Sequence, residues 1–295
     1  MKIIECIPNF SEGRDQDKVN QIVEAVSSIR GVKVLDFSMD RDHNRSVVTF
    51  IGTPEAVERG AIAACSRAVE LINMRQQRGV HPRIGAVDVV PFVPLKGASM
   101  DDAVETAHRF GQSFAKRSNV PVYFYGEAAL RPVRKILSVI RRGQYEQLSD
   151  KLTDLAWRPD AGPTVFNARS GATAVGARKP LIAFNVNLNT GDLFIAKEIA
   201  KSIRYTSGGL EHVQAIGVPL RSRNIVQVSM NLTDFEVTPV CKVFDLIKGK
   251  AQQCGVDILE SELIGLIPQA ALEGTTAEYL RICDFCDERI IETHI

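Results

Sequence analysis

The order of apolar patterns along the chain, which occurs twice, constrains the fold more than any other feature. In the first half, apolar runs predict strands and helical spacing predicts helices in the order β-α-β-β-α-β, at residues 3–7, 16–28, 32–37, 46–52, 53–72 and 89–93. The same order returns in the second half at residues 181–188, 192–205, 212–218, 225–232, 240–254 and 258–266. The residues show no obvious repeat, so the doubling rests on element order.

This order is the split arrangement typical of ferredoxin-like units. It predicts an α+β protein, an α/β sandwich of two β-α-β-β-α-β subdomains at residues 1–178 and 179–295. A ligand cleft is expected between them, because clefts between domains are preferred ligand sites. The boundary is placed where periodicity fades and Gly and Pro recur. The first half also predicts a helix opened by Ser99 and Asp102 at capping-box spacing, a strand at 120–125 and a short basic helix at 132–142.

The charge balance argues against nucleic acid and anionic membranes as partners. The formal charge of the 295 residues is +1, and basic and acidic side chains are interspersed. Glu5 interrupts the N-terminal apolar run, so this run does not resemble a signal peptide, and no run reaches the length of a membrane span. The six cysteines lie within or beside apolar patterns, as expected for buried thiols in a reducing compartment. We therefore expect a cytoplasmic globular protein.

The ten residues from Gly79 to Asp88 carry the clearest chemical signal. An imidazole, a guanidinium and a carboxylate (His81, Arg83 and Asp88) occur together, directly before an apolar run typical of a buried strand. Pro82 disfavours helix at the preceding residue, so the ring is expected to project from a turning backbone at the mouth of that strand. Loops fixed to a rigid sheet often display reactive groups. The alternative is a plain loop histidine beside a surface ion pair.

Asn44 and Arg45 lie in the loop between two strands of the first half. An asparagine offers a donor and an acceptor, and an arginine offers a planar fork suited to a carboxylate, so both are candidates for the ligand site near His81. The alternative is a solvated hairpin loop. His108 and His212 have no companion in the sequence and are interpreted as structural.

Two further motifs do not support the sites that they resemble. Residues 170–179 have two glycines five apart, but Ala177 and Arg178 stand where a phosphate loop requires Lys and Ser/Thr. Small residues there can still expose backbone N–H groups to an anion, and a tight turn is the alternative. Cys283 and Cys286 form Cys-x-x-Cys without a second pair, so they are interpreted as one face of a terminal helix and no metal is predicted.

Several segments taken together resemble the glutamate formimidoyltransferase family. They are ECIPNFSEG at 5–13, NR at 44–45, HPRIGA at 81–86, GAR at 176–178 and IAFNVNL at 182–188. Shorter matches follow at 214–217, 227–229, 231–232 and 234–236. The resemblance covers nearly the whole chain in order and stops where the cyclodeaminase domain of the fused animal enzymes would begin. A transferase without that domain is therefore expected.

The resemblance implies a usually dimeric enzyme of histidine degradation and one-carbon metabolism. It moves a formimidoyl group from N-formimidoyl-L-glutamate to N5 of tetrahydrofolate, the co-substrate, and no metal is implied. The catalytic histidine of the family falls on His81. Many members carry Glu where this chain has Val80, and the missing carboxylate is expected to lower the pKa of that histidine. The folate-contacting segment of the family falls on Gly162, Pro163, Thr164, Val165, Phe166, Asn167, Ala168, Arg169, Ser170 and Gly171, with residues 167–169 departing from the familiar form.

The residue types suit this chemistry. An imidazole can take a proton from N5 and deliver one to the departing glutamate amine near neutral pH. Arg45 and Arg83, with Asn44 beside them, are hypothesised to hold substrate carboxylates. Asp88 is hypothesised to orient His81 or Arg83.

Other functions stay open at this point. A one-carbon enzyme of the same fold would accept N5-formyl-tetrahydrofolate, either as a cyclo-ligase or as a glutamate formyltransferase. A non-catalytic folate- or amino-acid-binding protein is the alternative from another class, because a fold does not determine a function.

Overall fold

The computed structural model describes all 295 residues, which divide into two compact units, Met1–Arg178 and Lys179–Ile295. The first unit is built on one seven-stranded sheet. Its elements are β1 (Ile4–Cys6), β2 (Asn9–Phe10), α1 (Gln16–Ser27), β3 (Val32–Asp40), β4 (Arg45–Gly52), α2 (Pro54–Leu71), β5 (Val87–Pro94), α3 (Met100–Ser118), β6 (Val122–Gly126), α4 (Leu137–Ile140), α5 (Leu148–Thr153) and β7 (Thr173–Ala177).

The first sheet has a ferredoxin-like part and an extension. In the ferredoxin-like part the strands lie in the order β5, β1, β4, β3, and all of these neighbours are antiparallel. Strand β2 follows β1 after Pro8 and pairs with the same two neighbours. Beyond β5, strand β7 pairs with it in parallel and β6 pairs in parallel with β7. Strand β5 therefore has neighbours on both sides, and it anchors the loop that carries His81.

The second unit is a four-stranded antiparallel sheet with two helices. The strands lie in the order β11, β8, β10, β9, which is the ferredoxin-like order. The α+β class and the β-α-β-β-α-β order predicted for each half are confirmed. The elements are β8 (Ile182–Leu188), α6 (Leu193–Ile203), β9 (Val213–Leu220), β10 (Ile225–Leu232), α7 (Val240–Gln253) and β11 (Ile258–Ile264).

Local capping explains where several helices begin. Thr53 accepts a hydrogen bond from the backbone of Ala56 and precedes Pro54 at the first helical position of α2. Ser99 and Asp102 form both bonds of a capping box at the start of α3. These bonds satisfy backbone N–H groups that a helix start otherwise leaves without partners.

Separate apolar cores stabilise the sheets. In the first unit, the main core holds Phe50, Phe92 and Phe110, all fully buried, between the sheet and the helices. Neighbouring residues of a strand point to opposite faces of the sheet. Tyr123 of β6 lies on the face away from the main core, where it joins a smaller core with residues of α4 and α5. In the second unit, α6 and α7 cover one face of the sheet with residues such as Phe244.

The structure differs from the sequence prediction at 173–177, which form β7 rather than a turn or an anion-binding loop. The small side chains permit close packing, since a Cβ at Gly176 would lie 2.5 Å from the ring of Tyr125. The basic segment at 132–142 is not one helix, because a 3-10 turn, Pro132–Arg134, is followed by the four-residue α4. Arg134 is fully buried and bonds Asp160.

The cysteine prediction is wrong in part. Cys6 and Cys65 are buried, but Cys254, Cys283 and Cys286 are exposed. The last two do not lie on a terminal helix, because the chain there forms turns and short 3-10 segments. None of the helices has the length and apolar character needed to cross a membrane.

We predict opposite stability effects for two helical glycines replaced by Ala. In Gly111→Ala, the new Cβ would lie 2.5 Å from the ring of Phe124, so overpacking should lower the free energy of unfolding by about 1–3 kcal/mol. Gly249 of α7 has no atom within 4 Å of a Cβ, so Gly249→Ala should raise stability by up to about 1 kcal/mol through helix propensity. Denaturant unfolding measures both, and equal shifts in the two variants would contradict the packing argument.

Candidate active site

His81 lies in the loop between α2 and β5, and both of its ring nitrogens are hydrogen-bonded. Arg45 Nη1 lies 2.7 Å from Nε2, and the carbonyl oxygen of Pro82 lies 2.8 Å from Nδ1. A guanidinium can only donate and a carbonyl can only accept, so Nδ1 is assigned the proton and Nε2 the lone pair. The ring is therefore a neutral imidazole with a defined tautomer.

The surroundings of His81 favour this neutral form. Burial lowers the pKa of His81 well below its usual value, and the nearby charges of Arg45 and Arg141 and the ring of His43 lower it further. The bond to the carbonyl of Pro82 acts in the opposite direction and is the weaker effect. At neutral pH the ring is thus present as a base.

Arg45 is the first residue of β4, and its guanidinium has no bonded carboxylate. Its one side-chain hydrogen bond is the bond to His81. Burial, followed by the charge of Arg141, lowers its pKa to about 10, and the charges of Asp88 and Asp40 act against this. Transfer of a charge out of water is costly unless it is paired. A cation in this state suits an anionic ligand such as a carboxylate.

Asp88 does not have the orienting role hypothesised from the sequence. Its Oδ1 accepts a hydrogen bond from the backbone of Ile84 at 2.8 Å, and its Oδ2 is bonded to Arg141, so it contacts neither His81 nor Arg83. Asp88 instead closes the loop and holds Arg141 near His81. Sequence reasoning missed Arg141, because a basic pair 53 residues beyond Asp88 carries no signal of this contact.

Arg83 binds a carboxylate of the protein itself. Its guanidinium makes two bonds to Glu146, at 2.6 and 3.0 Å, and its carbonyl accepts from the backbone of Tyr145 at 2.9 Å. Arg83 is 7% exposed, which leaves little of it open to a ligand. It tethers the loop of His81 to residues 144–146, and a clamp for a substrate carboxylate is not supported.

The β3–β4 turn is braced against the loop of His81, and its residues His43 and Asn44 are buried. Asn44, in the left-handed region at φ 49°, accepts from the backbone of Gly13 at 3.0 Å and donates to Gln77 and to the carbonyl of Arg78. All its amide hydrogens and its oxygen are engaged, so Asn44 is a brace and not a free substrate contact. Gly79 completes the contact, because a Cβ there would lie 2.2 Å from the carbonyl oxygen of His43.

The segment 162–171, which the resemblance assigns to folate, has an exposed part and an anchored part. Gly162, Thr164 and Val165 are exposed, and the side chain of Val165 is 74% exposed. The ring of Phe166 lies 5.6 Å from the ring of Tyr145. At the other end of the segment, the carbonyl of Ser170 accepts from the backbone of Ala86 at 2.8 Å. The segment is therefore joined to the chain between His81 and β5.

Two glycines make this junction sterically tight. Gly85 pairs with Gly171 in an isolated β-bridge, and Gly171 has φ +71°. A Cβ on Gly85 would lie 2.2 Å from the carbonyl oxygen of Ala172, and one on Gly171 would lie 2.2 Å from that of Ile84. Only glycine fits at either position.

Comparison with known families covers both units. A model of the N-terminal subdomain of the formiminotransferase domain matches residues 3–178, and a model of the formiminotransferase domain matches residues 183–289. The chain belongs to the formiminotransferase family. His81, Arg45 and the segment 162–171 all lie within the N-terminal formiminotransferase match.

Curated relatives of this formiminotransferase-family chain include stand-alone and fused proteins. It is 44% identical to the glutamate formimidoyltransferase of Thermoplasma acidophilum, over 99% of this chain and 97% of that protein. It is 42% identical to the glutamate formimidoyltransferase of Streptococcus pyogenes, over 100% of this chain and 99% of that protein. The formimidoyltransferase-cyclodeaminase of Rattus norvegicus is 45% identical over 96% of this chain, which spans 53% of that longer protein.

Replacing Arg45 by Gln should raise the pKa of His81, because one of the neighbouring positive charges is removed. Burial remains, so the pKa should stay below that of a free histidine. NMR titration of the ring signals measures the shift. Arg59→Gln is the matched control, since it removes a charge from α2 whose guanidinium bonds the carbonyl of Arg30. If both variants titrate like the wild type, the electrostatic account of His81 is refuted.

Proposed function

We propose that this chain is a glutamate formimidoyltransferase. It transfers the formimidoyl group of N-formimidoyl-L-glutamate to N5 of tetrahydrofolate and releases L-glutamate. The observation that carries the proposal is the neutral imidazole of His81, whose Nε2 lone pair faces a guanidinium without a carboxylate partner. Family membership and relatives named for this activity support the same reaction.

The reaction needs one proton to move between two nitrogens. N5 attacks the amidine carbon and the π electrons move to the formimidoyl nitrogen, which gives a tetrahedral intermediate. N5 loses its proton, and the electron pair on the formimidoyl nitrogen re-forms the C=N double bond. The bond from the central carbon to the glutamate nitrogen breaks at the same time, and that nitrogen departs with the electron pair and gains a proton. Both nitrogens are bonded to the same carbon, so the groups that remove and supply the proton must lie close together. General acid–base catalysis of this kind contributes about 10²–10⁴-fold.

His81 is proposed as the base that removes the N5 proton. Its low pKa keeps Nε2 unprotonated at neutral pH, and the bond from Nδ1 to Pro82 holds the tautomer that places the lone pair on Nε2. Its conjugate acid is disfavoured beside Arg45 and Arg141, so it gives the proton up readily. A base that must pass its proton on benefits from this environment.

Arg45 is proposed as the clamp for a glutamate carboxylate. In the free protein its Nη1 donates to His81 Nε2, which blocks the lone pair that the reaction requires. A substrate carboxylate would draw the guanidinium away, because a bidentate bond between two charged groups is stronger than a single bond from the guanidinium to a neutral ring. Binding of the amino-acid substrate would thus also free the base.

Tetrahydrofolate is proposed to lie along the segment 162–171. The exposed side chain of Val165 and the ring of Phe166 offer apolar contacts to a pterin or to an aminobenzoyl ring, and the anchored end keeps the segment joined to the loop of His81. The homodimer, the cytoplasmic location and the absence of a metal stay predictions.

Following pterin absorbance distinguishes the proposed activity from its alternatives. The protein is mixed with tetrahydrofolate and N-formimidoyl-glutamate, and separately with N5-formyl-tetrahydrofolate, in the presence and absence of glutamate. Turnover of the first pair, lowered about 10²–10⁴-fold in His81→Gln, is expected. Turnover of the formyl substrate alone would replace the proposal by the cyclo-ligase or formyltransferase. Folate binding without any turnover would favour a binding protein.

Val165→Asp tests the folate segment. A charge on this exposed side chain should weaken apolar contact with the co-substrate, so KM for tetrahydrofolate should rise about tenfold while KM for the amino-acid substrate stays unchanged. Val133→Asp is the matched control, because Val133 is 58% exposed and lies outside the segment. Steady-state kinetics with each substrate varied in turn gives both constants. Equal effects in the two variants would remove residue 165 from the folate site.

A further inference from the structure

A second imidazole lies beside His81 and has no role in the scheme above. His43 is 5% exposed, and its ring centroid lies 6.0 Å from that of His81, with the two rings nearly perpendicular at 81°. It sits in the turn between β3 and β4, which Asn44 and Gly79 brace against the loop of His81. The two rings are thus held together by backbone contacts.

His43 has one engaged ring nitrogen and one without a partner. Its Nδ1 lies 3.3 Å from Asp40 Oδ2, and its backbone N–H donates to Asp40 Oδ1 at 2.6 Å. Its Nε2 is buried and has no hydrogen-bond partner. Buried polar atoms are rarely left in this state, so an orphaned ring nitrogen at a reaction site indicates a group that is bonded only when ligand is present.

The two histidines have opposite electrostatic neighbours. His81 lies near the guanidinium groups of Arg45, from β4, and Arg141, which follows α4, and no carboxylate bonds to it. His43 instead has a carboxylate as its neighbour, because its Nδ1 lies 3.3 Å from Oδ2 of Asp40, from β3. Pairs of titratable groups in such contrasting environments are how enzymes separate a base from an acid.

We propose that His43 is the general acid of the reaction, with Asp40 as its positioning residue and His81 as the base. This assignment rests on the proposed formimidoyl transfer. His81 Nε2 takes the proton as the N5–H bond breaks. His43 Nε2 donates its proton to the glutamate nitrogen as the carbon–nitrogen bond breaks with its electron pair on that nitrogen. Afterwards the proton on His81 returns to His43 through solvent, which restores both rings.

The pH dependence of kcat/KM tests the division of labour. The wild type should give a bell-shaped profile, because the base must be unprotonated and the acid must be protonated for turnover. His43→Gln should lower kcat about 10²-fold, leave KM for both substrates within about threefold and abolish the alkaline limb. His108→Gln is the matched control, since that ring packs on Phe124 and bonds the carbonyl of Ala128, so its pH profile should be that of the wild type.

A second variant keeps the test sharp should His43→Gln fold poorly. In Asp40→Asn, the amide can donate to His43 Nδ1, which shifts the ring hydrogen to Nε2 and removes the carboxylate. Loss of the positioning carboxylate should lower kcat. Nitrogen NMR of the histidine rings should show the Nδ1–H tautomer of neutral His43 in the wild type and the Nε2–H tautomer in Asp40→Asn, whether or not any turnover occurs.

Three outcomes would overturn the assignment. They are an unchanged alkaline limb in His43→Gln, a kcat within threefold of the wild type, or an Nε2–H tautomer of His43 in the wild type. A wild type that binds folate but transfers no formimidoyl group would instead remove the proposed function. In that case the Nδ1–H tautomer would still support the Asp40–His43 pair as a built acid–base unit.

Discussion

The hydrogen bond from Arg45 to His81 is the interaction on which the rest of the site depends. It requires His81 Nε2 to be an acceptor, so the ring is neutral. It also places a positive charge beside the ring, which lowers the pKa of His81 and disfavours the imidazolium form. The bond forms only because the turn that precedes β4 and the loop that precedes β5 meet at one edge of the sheet. The extension of the sheet by β7 and β6 places β5 in the interior of the sheet, with strand neighbours on both sides.

Two ion pairs lie near this bond, and each holds one part of the loop that carries His81. Asp88 and Arg141 hold one end of the loop, and Arg83 with Glu146 holds the other. These carboxylates are engaged by other guanidinium groups, and Arg45 has no bonded carboxylate. The protein thus uses its own carboxylates to position the loop.

The sequence predicted the topology well and the contacts of the site poorly. Element order predicted both ferredoxin-like sheets, because alternation and helical spacing reflect burial that is local to each element. Strand β7 was missed because its small residues give no apolar pattern and resemble a loop. Their size is explained by the ring of Tyr125, which packs on Gly176 in the structure. His81 and Arg45 were correctly singled out as neighbours, but the partner of Arg83 and the contact of Asp88 with Arg141 depend on loops that are distant in sequence. No periodic pattern encodes such contacts.

The close approach of backbones at Gly79, Gly85 and Gly171 has a consequence for how the molecule tolerates genetic change. None of the three has a functional group, yet each stands where any side chain would collide with a neighbouring carbonyl oxygen. Natural variation at these points would be purged as strictly as variation at a catalytic side chain, although for a steric reason. Inactivating mutations would therefore be expected at these three glycines as well as at the side chains that take part in the chemistry.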